Sequence, residues 1–293
     1  MKSHLFLLFF LALATGGLSN TAGVSFPMAP SEYRPAHLPD SGKRFPVPFL
    51  TFYLGGSLVF INGNNQLSDL SENGTRYDFR DDLHFPLYKL VPRINVYVKI
   101  GESNRLMISL YNIRHSVNTT INRDLQVGET LFPANIPVRA KVSLRSLLLG
   151  YNYVFMKRER GDLGFMIGVS GIYFQNKIET RDYPVTFGIA DNNWLVIPSI
   201  GLVSGMYIRP GIYLRGIVDY FSMGMKKYDF TIFNIKPTLE FYLYKNLGLA
   251  IRYHYSYNRI SNIPWNDYHG EIKLHSHAFS LVACYRVFNK RDR

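Results

Sequence analysis

The sequence predicts an all-β chain closed as an antiparallel up-and-down barrel of about ten strands (about 8–12) that crosses a membrane. Three observations carry this: alternating polarity along many segments, a regular order of short and long connections, and a composition poor in charge and rich in aromatic residues. Charged residues are 18% of the chain and aromatics 15%, whereas soluble domains are about a quarter charged.

The hairpin from Phe233 to Asn258 shows the alternation most plainly. Leu247, Leu249, Ile251, Tyr253, Tyr255 and Tyr257 share one parity; Gly248, Ala250, Arg252, His254, Ser256 and Asn258 share the other. Successive side chains of a strand point to opposite sides, so one face is apolar and the other polar. The preceding arm sets Ile235, Leu239, Phe241 and Leu243 against Asn234, Lys236, Thr238 and Glu240, and only Lys245-Asn246 joins the arms.

The chain opens with a secretory-type leader. Lys2 precedes the apolar stretch Leu5 to Ala14, too short to span a bilayer, and small residues permit cleavage between 16 and 23. Residues 24–48, with Pro27, Pro30, Pro35, Pro39, Pro46 and Pro48, read as an extended periplasmic lead-in. Strand-like runs follow at 49–61, 90–100, 105–117, 136–155, 163–178, 194–208, 212–223, 230–244, 247–260 and 272–288, so the barrel is expected over 49–288, with a basic tail at 289–293. No later segment is long and apolar enough for a transmembrane helix.

Connections GESN (101–104), KRERGD (157–162), RPG (209–211) and KN (245–246) are short. Those at 62–89, 118–135, 179–193, 224–229 and 261–271 are longer. An up-and-down sheet places alternate connections at opposite ends, which gives tight periplasmic turns and longer external loops. The run at 90–100 sets Ile94, Val96 and Val98 against Arg93, Asn95, Tyr97 and Lys99. The run at 194–208 sets Trp194, Val196, Pro198, Ile200 and Leu202 against Ser199, Gly201 and Gly205. In the run at 136–155, Arg139, Lys141, Ser143 and Arg145 share a face and the polarity changes parity near Ser146, for which a β-bulge is the expected cause. The run at 49–61 is apolar on both faces. A soluble barrel needs charge on its outer face; here the polar face carries Gly, Ser, Asn and isolated charges. A closed membrane barrel fits better, because every ladder hydrogen bond is made and no edge meets lipid.

Three stretches carry a family resemblance: GTRYDFRDDLHF (74–85), INRDLQVGETLFPANIPVRAKVSLRSLLLGYNYVF (121–155) and NDYHGEIKLHSHAFSLVACYRVF (266–288). They resemble an uncharacterised family of Gram-negative outer-membrane β-barrel proteins. The resemblance implies a single barrel in the bacterial outer membrane, with outer-membrane lipid and the barrel assembly machinery as partners, and implies no activity. Phe288 stands where many such barrels end on an aromatic residue, but Asn289–Arg293 follow it.

By parity, Arg93, Lys99, Arg139, Lys141, Arg145, Arg215, Lys236, Arg252 and Arg286 are expected in the lumen, with only Asp219 and Glu240 to oppose them. Charges hidden from lipid are paired or bathed in water. The surplus predicts either a plugged lumen with a charge network or a narrow pore that favours small anions. His254 and Ser256, with Glu271 beyond a loop, resemble the His-x-Ser and downstream Glu of outer-membrane lipid A deacylases, and such a hydrolase would activate Ser256 through His254. Tyr257-Asn258-Arg259 stands where that family has Asn-Ala-Gly, and the pair falls on the lumen parity. His275 and His277 lie two apart near Asp267 and His269, a spacing that metals use, although solvated histidines at strand ends show it too. No metal, cofactor or catalytic group is expected.

The net charge of +12 lacks a Lys/Arg-rich run, which argues against nucleic acid. The lone Cys284 excludes an internal disulfide and a cysteine metal framework. The expected role is a structural or surface-interaction barrel, with a small anion-favouring pore and a membrane hydrolase as alternatives.

Overall fold

A computed structural model describes residues 47–288 apart from 69–73, 87, 128–129, 181–183, 189–193, 225–228, 245 and 266–267. The leader, all of the lead-in before Val47 and the basic tail lie outside the described residues.

Ten antiparallel strands close into a barrel. They are β1 (Leu50–Ser68), β2 (Tyr88–Ile100), β3 (Asn104–Thr120), β4 (Pro137–Lys157), β5 (Gly161–Glu179), β6 (Leu195–Arg209), β7 (Ile212–Gly224), β8 (Asp229–Ile235 continued by Thr238–Tyr244), β9 (Leu247–Trp265) and β10 (Tyr268–Val287). Each pairs with its chain neighbours, and β1 closes the ring on β10 in continuous register from Leu50↔Val287 to Ser68↔His269. Closure satisfies the backbone of every strand, the condition for β structure in lipid.

The tight turns at Gly101, around Arg158, at Gly211 and at Asn246 gather at the end where β1 begins. Gly101 (φ 65°) and Gly211 (φ 81°) adopt left-handed backbone that other residues enter at a cost. The strands run further at the opposite end than their sequence pattern indicates. Most of the connection expected over 261–271 is strand, because β9 runs to Trp265 and β10 begins at Tyr268. The connection expected over 118–135 holds a small hairpin, Leu125–Val127 with Thr130–Phe132.

In the half of the barrel near the turns, the apolar parity faces outward. Leu54, Leu90, Ile167, Val196, Ile200 and Leu281 are exposed there, while Thr51, Ser57, Asn95, Ser199 and Ser280 are buried inside. That is the polarity of a surface built against lipid. In the other half it inverts. Val138, Ala140 and Val142 of β4 turn inward with Phe174, Ile178, Ile197, Phe230, Ile232, Ile260, Ile272 and Leu274, and polar residues turn out.

This inversion corrects two expectations about β4. Its register against β3 runs unbroken from Asn104↔Tyr153 to Thr120↔Pro137, so no bulge sits at Ser146; the irregularity lies at Val154/Met156 against β5. Arg139, Lys141 and Arg145 therefore share the outer face of Leu149, Tyr151 and Phe155 and do not line the lumen. The physical reason is that β4 (21 residues) is about twice the length that crosses a bilayer. Beyond the lipid the outside is water, so the same parity that carried leucine now carries arginine.

The upper core is completed by two loops that fold over it. Tyr77, Phe79 and Leu83 from the first connection and Ile121, Leu125, Val127 and Phe132 from the second are buried against the strand interiors. They are joined by a backbone bond from Thr75 N–H to the Gln126 carbonyl (2.9 Å). Arg123 forks onto both oxygens of Asp82 at 2.7 Å and gives a further bond to the Arg76 carbonyl. The first and second long connections thus form one cap.

Candidate functional site

The functional candidates lie in the polar half of the lumen, where strand parity sends charged side chains inward from every direction. Near the turns the centre is Glu240 of β8, fully buried. Its Oε1 accepts from the Tyr53 hydroxyl of β1 at 2.6 Å and from Arg215 Nε of β7 at 3.2 Å. Its Oε2 accepts from Arg286 Nη2 of β10 at 2.7 Å and from the Tyr242 hydroxyl. One carboxylate thereby ties together four strands around the ring. The guanidinium faces are occupied too: Arg215 lies 4.5 Å from the Tyr97 ring centroid and Arg286 3.5 Å from that of Tyr242. Gly205 makes room for this packing, since a Cβ there would meet the Tyr213 hydroxyl at 1.8 Å. Beside the turns, Arg105 and Asp162 form a bidentate pair at 2.6 and 3.2 Å.

Higher in the lumen, two rungs cross from β2 to β9. Arg93 Nη2 lies 3.1 Å from His254 Nδ1, and Arg252 Nη1 donates to Asn95 Oδ1. Because an arginine can only donate, the His254 Nδ1 is the acceptor of that bond and its other nitrogen donates to Asn234 Oδ1 at 3.2 Å. Asp219 is held by Lys236 Nζ at 2.8 Å and by the Asn234 amide.

Of the residues expected in the lumen, Arg93, Arg215, Asp219, Glu240, Arg252 and Arg286 are buried there. Lys99 and Lys236 are half-buried on the same inward parity. The structure does not assemble the deacylase-like set. His254 and Ser256 point inward, but Ser256 bonds to Asn258 (2.8 Å). Glu271 is on the outer parity of β10, among Arg76, Arg259 and Lys273. The strand wall separates the carboxylate from the imidazole it would orient. His275 and His277 also face outward, and their Nδ1 atoms lie 3.4 Å from the Tyr255 hydroxyl and 2.7 Å from that of Tyr253. Those rings form a belt with Tyr257 at the height where the outward polarity changes. Asp267 lies outside the described residues.

Sequence reasoning missed Tyr53, Tyr242, Arg105 and Asp162. Parity alone would have found the last two: Arg105 precedes the outward Leu106, and Asp162 shares the glycine-rich face of Gly164 and Gly168.

Outside the membrane band, Lys141 of β4 and Lys177 of β5 share Glu179. The ammonium groups of Lys141 (2.7 Å) and Lys177 hold the Glu179 carboxyl down to about 2. Partial burial would raise the carboxyl of Asp82, but the Arg123 guanidinium and the Asp78 amide bonded to it bring it below its ordinary value.

No family model matches the chain, and no curated protein sequence does. Among solved structures, the outer-membrane protease OmpT of Escherichia coli superposes with a TM-score of 0.52 at 11% identity, over 84% of this chain and 100% of that one. The attachment invasion locus protein Ail of Yersinia pestis matches at TM-score 0.27 and 11% identity, covering 79% and 98%. Neisserial surface protein A matches at TM-score 0.29 and 12% identity, covering 80% and 96%. At 11% identity the likeness to OmpT speaks to architecture alone. This chain has the fold of the Gram-negative outer-membrane β-barrels.

Proposed function

We propose that this protein resides in the bacterial outer membrane as a sealed barrel with a structural and surface-interaction role, neither a diffusion pore nor an enzyme. The observation that carries the reading is the Glu240 clamp. A buried carboxylate that engages Tyr53, Arg215, Tyr242 and Arg286 from four strands fills the periplasmic half of the lumen, and the apolar cap core fills the other half. Ten strands enclose a lumen nearer the packed end of the barrel range than the channel end. The alternating lipid-facing band supports the location, and so does the resemblance of 74–85, 121–155 and 266–288 to uncharacterised outer-membrane barrels. The outward cations Arg139, Lys141 and Arg145 share one face with the apolar outward residues of β4, which supports contact with outer-membrane lipid headgroups where the apolar run ends. The working surface is then the extension beyond the membrane, with its cap.

The test is single-channel recording of the barrel folded in detergent and inserted in a planar bilayer. A folded, silent barrel is the expected result. Steady anion-selective conductance that falls in Arg215→Gln and Arg252→Gln would replace this reading with a pore.

A further inference from the structure

The lumen charges do not balance, and the imbalance is localised. Glu240 is engaged by Arg215 and Arg286, Asp162 by Arg105, and Asp219 by Lys236. Arg93 and Arg252 are left with neutral partners: His254 for one, Asn95 and Thr238 for the other. They are 6% and 4% exposed. Both retain a buried donor with no partner among the described residues, Arg93 Nε and Arg252 Nη2. Both line a cavity of about 50 Å³ in mid-lumen, which Lys236, Ser109, Ser146 and Ser256 also border.

Two buried guanidiniums beside one another, without a carboxylate between them, repel in a medium that screens poorly. The tyrosine faces beneath them, Tyr111 under Arg93 at 5.8 Å and Tyr53 under Arg252 at 5.1 Å, offset only part of that cost. The cheapest remedy is a counter-ion. We propose that this cavity binds a small inorganic anion of chloride size, held by Arg93 Nε and Arg252 Nη2 with serine hydroxyls completing its shell. The volume sets the class: a buried water takes about 10–15 Å³ on this measure, so the space admits one such ion with a few waters and excludes organic acids. The anion converts two repelling rungs into one bridged unit that braces β2 against β9. The site depends on the lumen charges alone and holds for a sealed or an open barrel.

The test follows the thermal unfolding midpoint of the full barrel in detergent. Sodium gluconate is replaced stepwise by sodium chloride, or by sodium phosphate, at constant ionic strength. An ion that binds only the folded state raises the midpoint, with the logarithm of its concentration once that exceeds the dissociation constant. The expected result is a rise with chloride that becomes logarithmic in its concentration, a smaller one with phosphate, and loss of the rise in Arg93→Gln and in Arg252→Gln. A midpoint equal in gluconate and chloride overturns the proposal. Should either variant fail to fold, bromide-soaked crystals of the unaltered protein decide the matter. An anomalous peak beside Arg93 Nε and Arg252 Nη2 supports the site, and a cavity without one makes it a hydrated charge pair only.

Discussion

Tyr53 and Glu240 meet across the lumen: the phenol donates to the carboxylate at 2.6 Å although the two lie 187 positions apart in the chain. Tyr53 comes from the first strand, which its neighbours in sequence leave featureless, and the contact exists only because β1 closes the ring on β10. Replacing Glu240 with Gln leaves Arg215 and Arg286 buried without their acid. Removing one partner of a buried ionic cluster costs about 3–5 kcal/mol, so Glu240→Gln is expected to lower the urea midpoint of the detergent-folded barrel by that equivalent. Adding Arg286→Met to Glu240→Gln should recover part of the loss, and a wild-type midpoint in Glu240→Gln would remove the clamp from the account of stability.

Tyr77 anchors the cap to the barrel wall. Its hydroxyl accepts from Asn65 Nδ2 at 3.0 Å and from Asn176 Nδ2 at 2.7 Å. Tyr77→Phe strands two buried amide donors while keeping the ring, for an expected loss of about 1–3 kcal/mol. Limited proteolysis within 74–85 on intact cells should accelerate accordingly, whereas Tyr88→Phe, on the exposed outer face, should leave it unchanged.

The cap is also expected to respond to acid. The Asp82 carboxyl titrates below its ordinary value of 3.8 in the folded state because Arg123 and the Asp78 amide hold it ionised. A carboxyl depressed by folding contributes stability above its unfolded value, and that contribution fades as pH falls through the folded one. Arg123 is half exposed, so the effect is modest, about 1 kcal/mol or less. Amide exchange of residues 78–85, corrected for intrinsic rates, should lose protection only below about pH 4. Asp82→Asn should show the loss already at pH 7.

The inversion of polarity along β4 has a labelling signature. Cysteines placed at Arg139 and Lys141, on a background with Cys284 removed, should react with a membrane-impermeant maleimide on whole cells. Cysteines at Ala140 and Val142 should not. Lower on the same strand, Leu149→Arg puts a cation against lipid and is expected to cost about 2–4 kcal/mol of folding stability if it lies at the bilayer midplane. Labelling at Ala140 in place of Lys141 would reverse the assignment of faces.

How far the sequence could be read depended on which solvent each strand segment meets. In β9, Leu249, Ile251 and Tyr253 stay on the outward face of one alternating run, and Arg252, His254 and Ser256 on the other parity are buried inside. In β4 the same reasoning failed for Arg139, Lys141 and Arg145. Parity rules assume one outside medium, and β4 passes from hydrocarbon into water. A bulge at Ser146 would preserve that assumption, and the unbroken register of β4 against β3 removes it. For Glu271 the failure is different: the likeness of His254, Ser256 and Glu271 to the deacylase motif suggested a triad, and the strand wall stands between the carboxylate and the other two.

What the amino-acid sequence determined by itself is local and periodic: strands, their approximate number, the tight turns at one end, and which residues share a face. Period-two alternation and turn spacing follow from backbone geometry and need no partner. What each face meets, and which distant groups combine, is set by the closed barrel. Glu240 gathers Tyr53, Arg215, Tyr242 and Arg286, residues 74–85 and 121–132 join as one cap, and Arg93 and Arg252 are left without an acid. These depend on ring closure and strand stagger, which bring together side chains from strands that are not neighbours in the chain; the periodicity of a single strand holds no information about them.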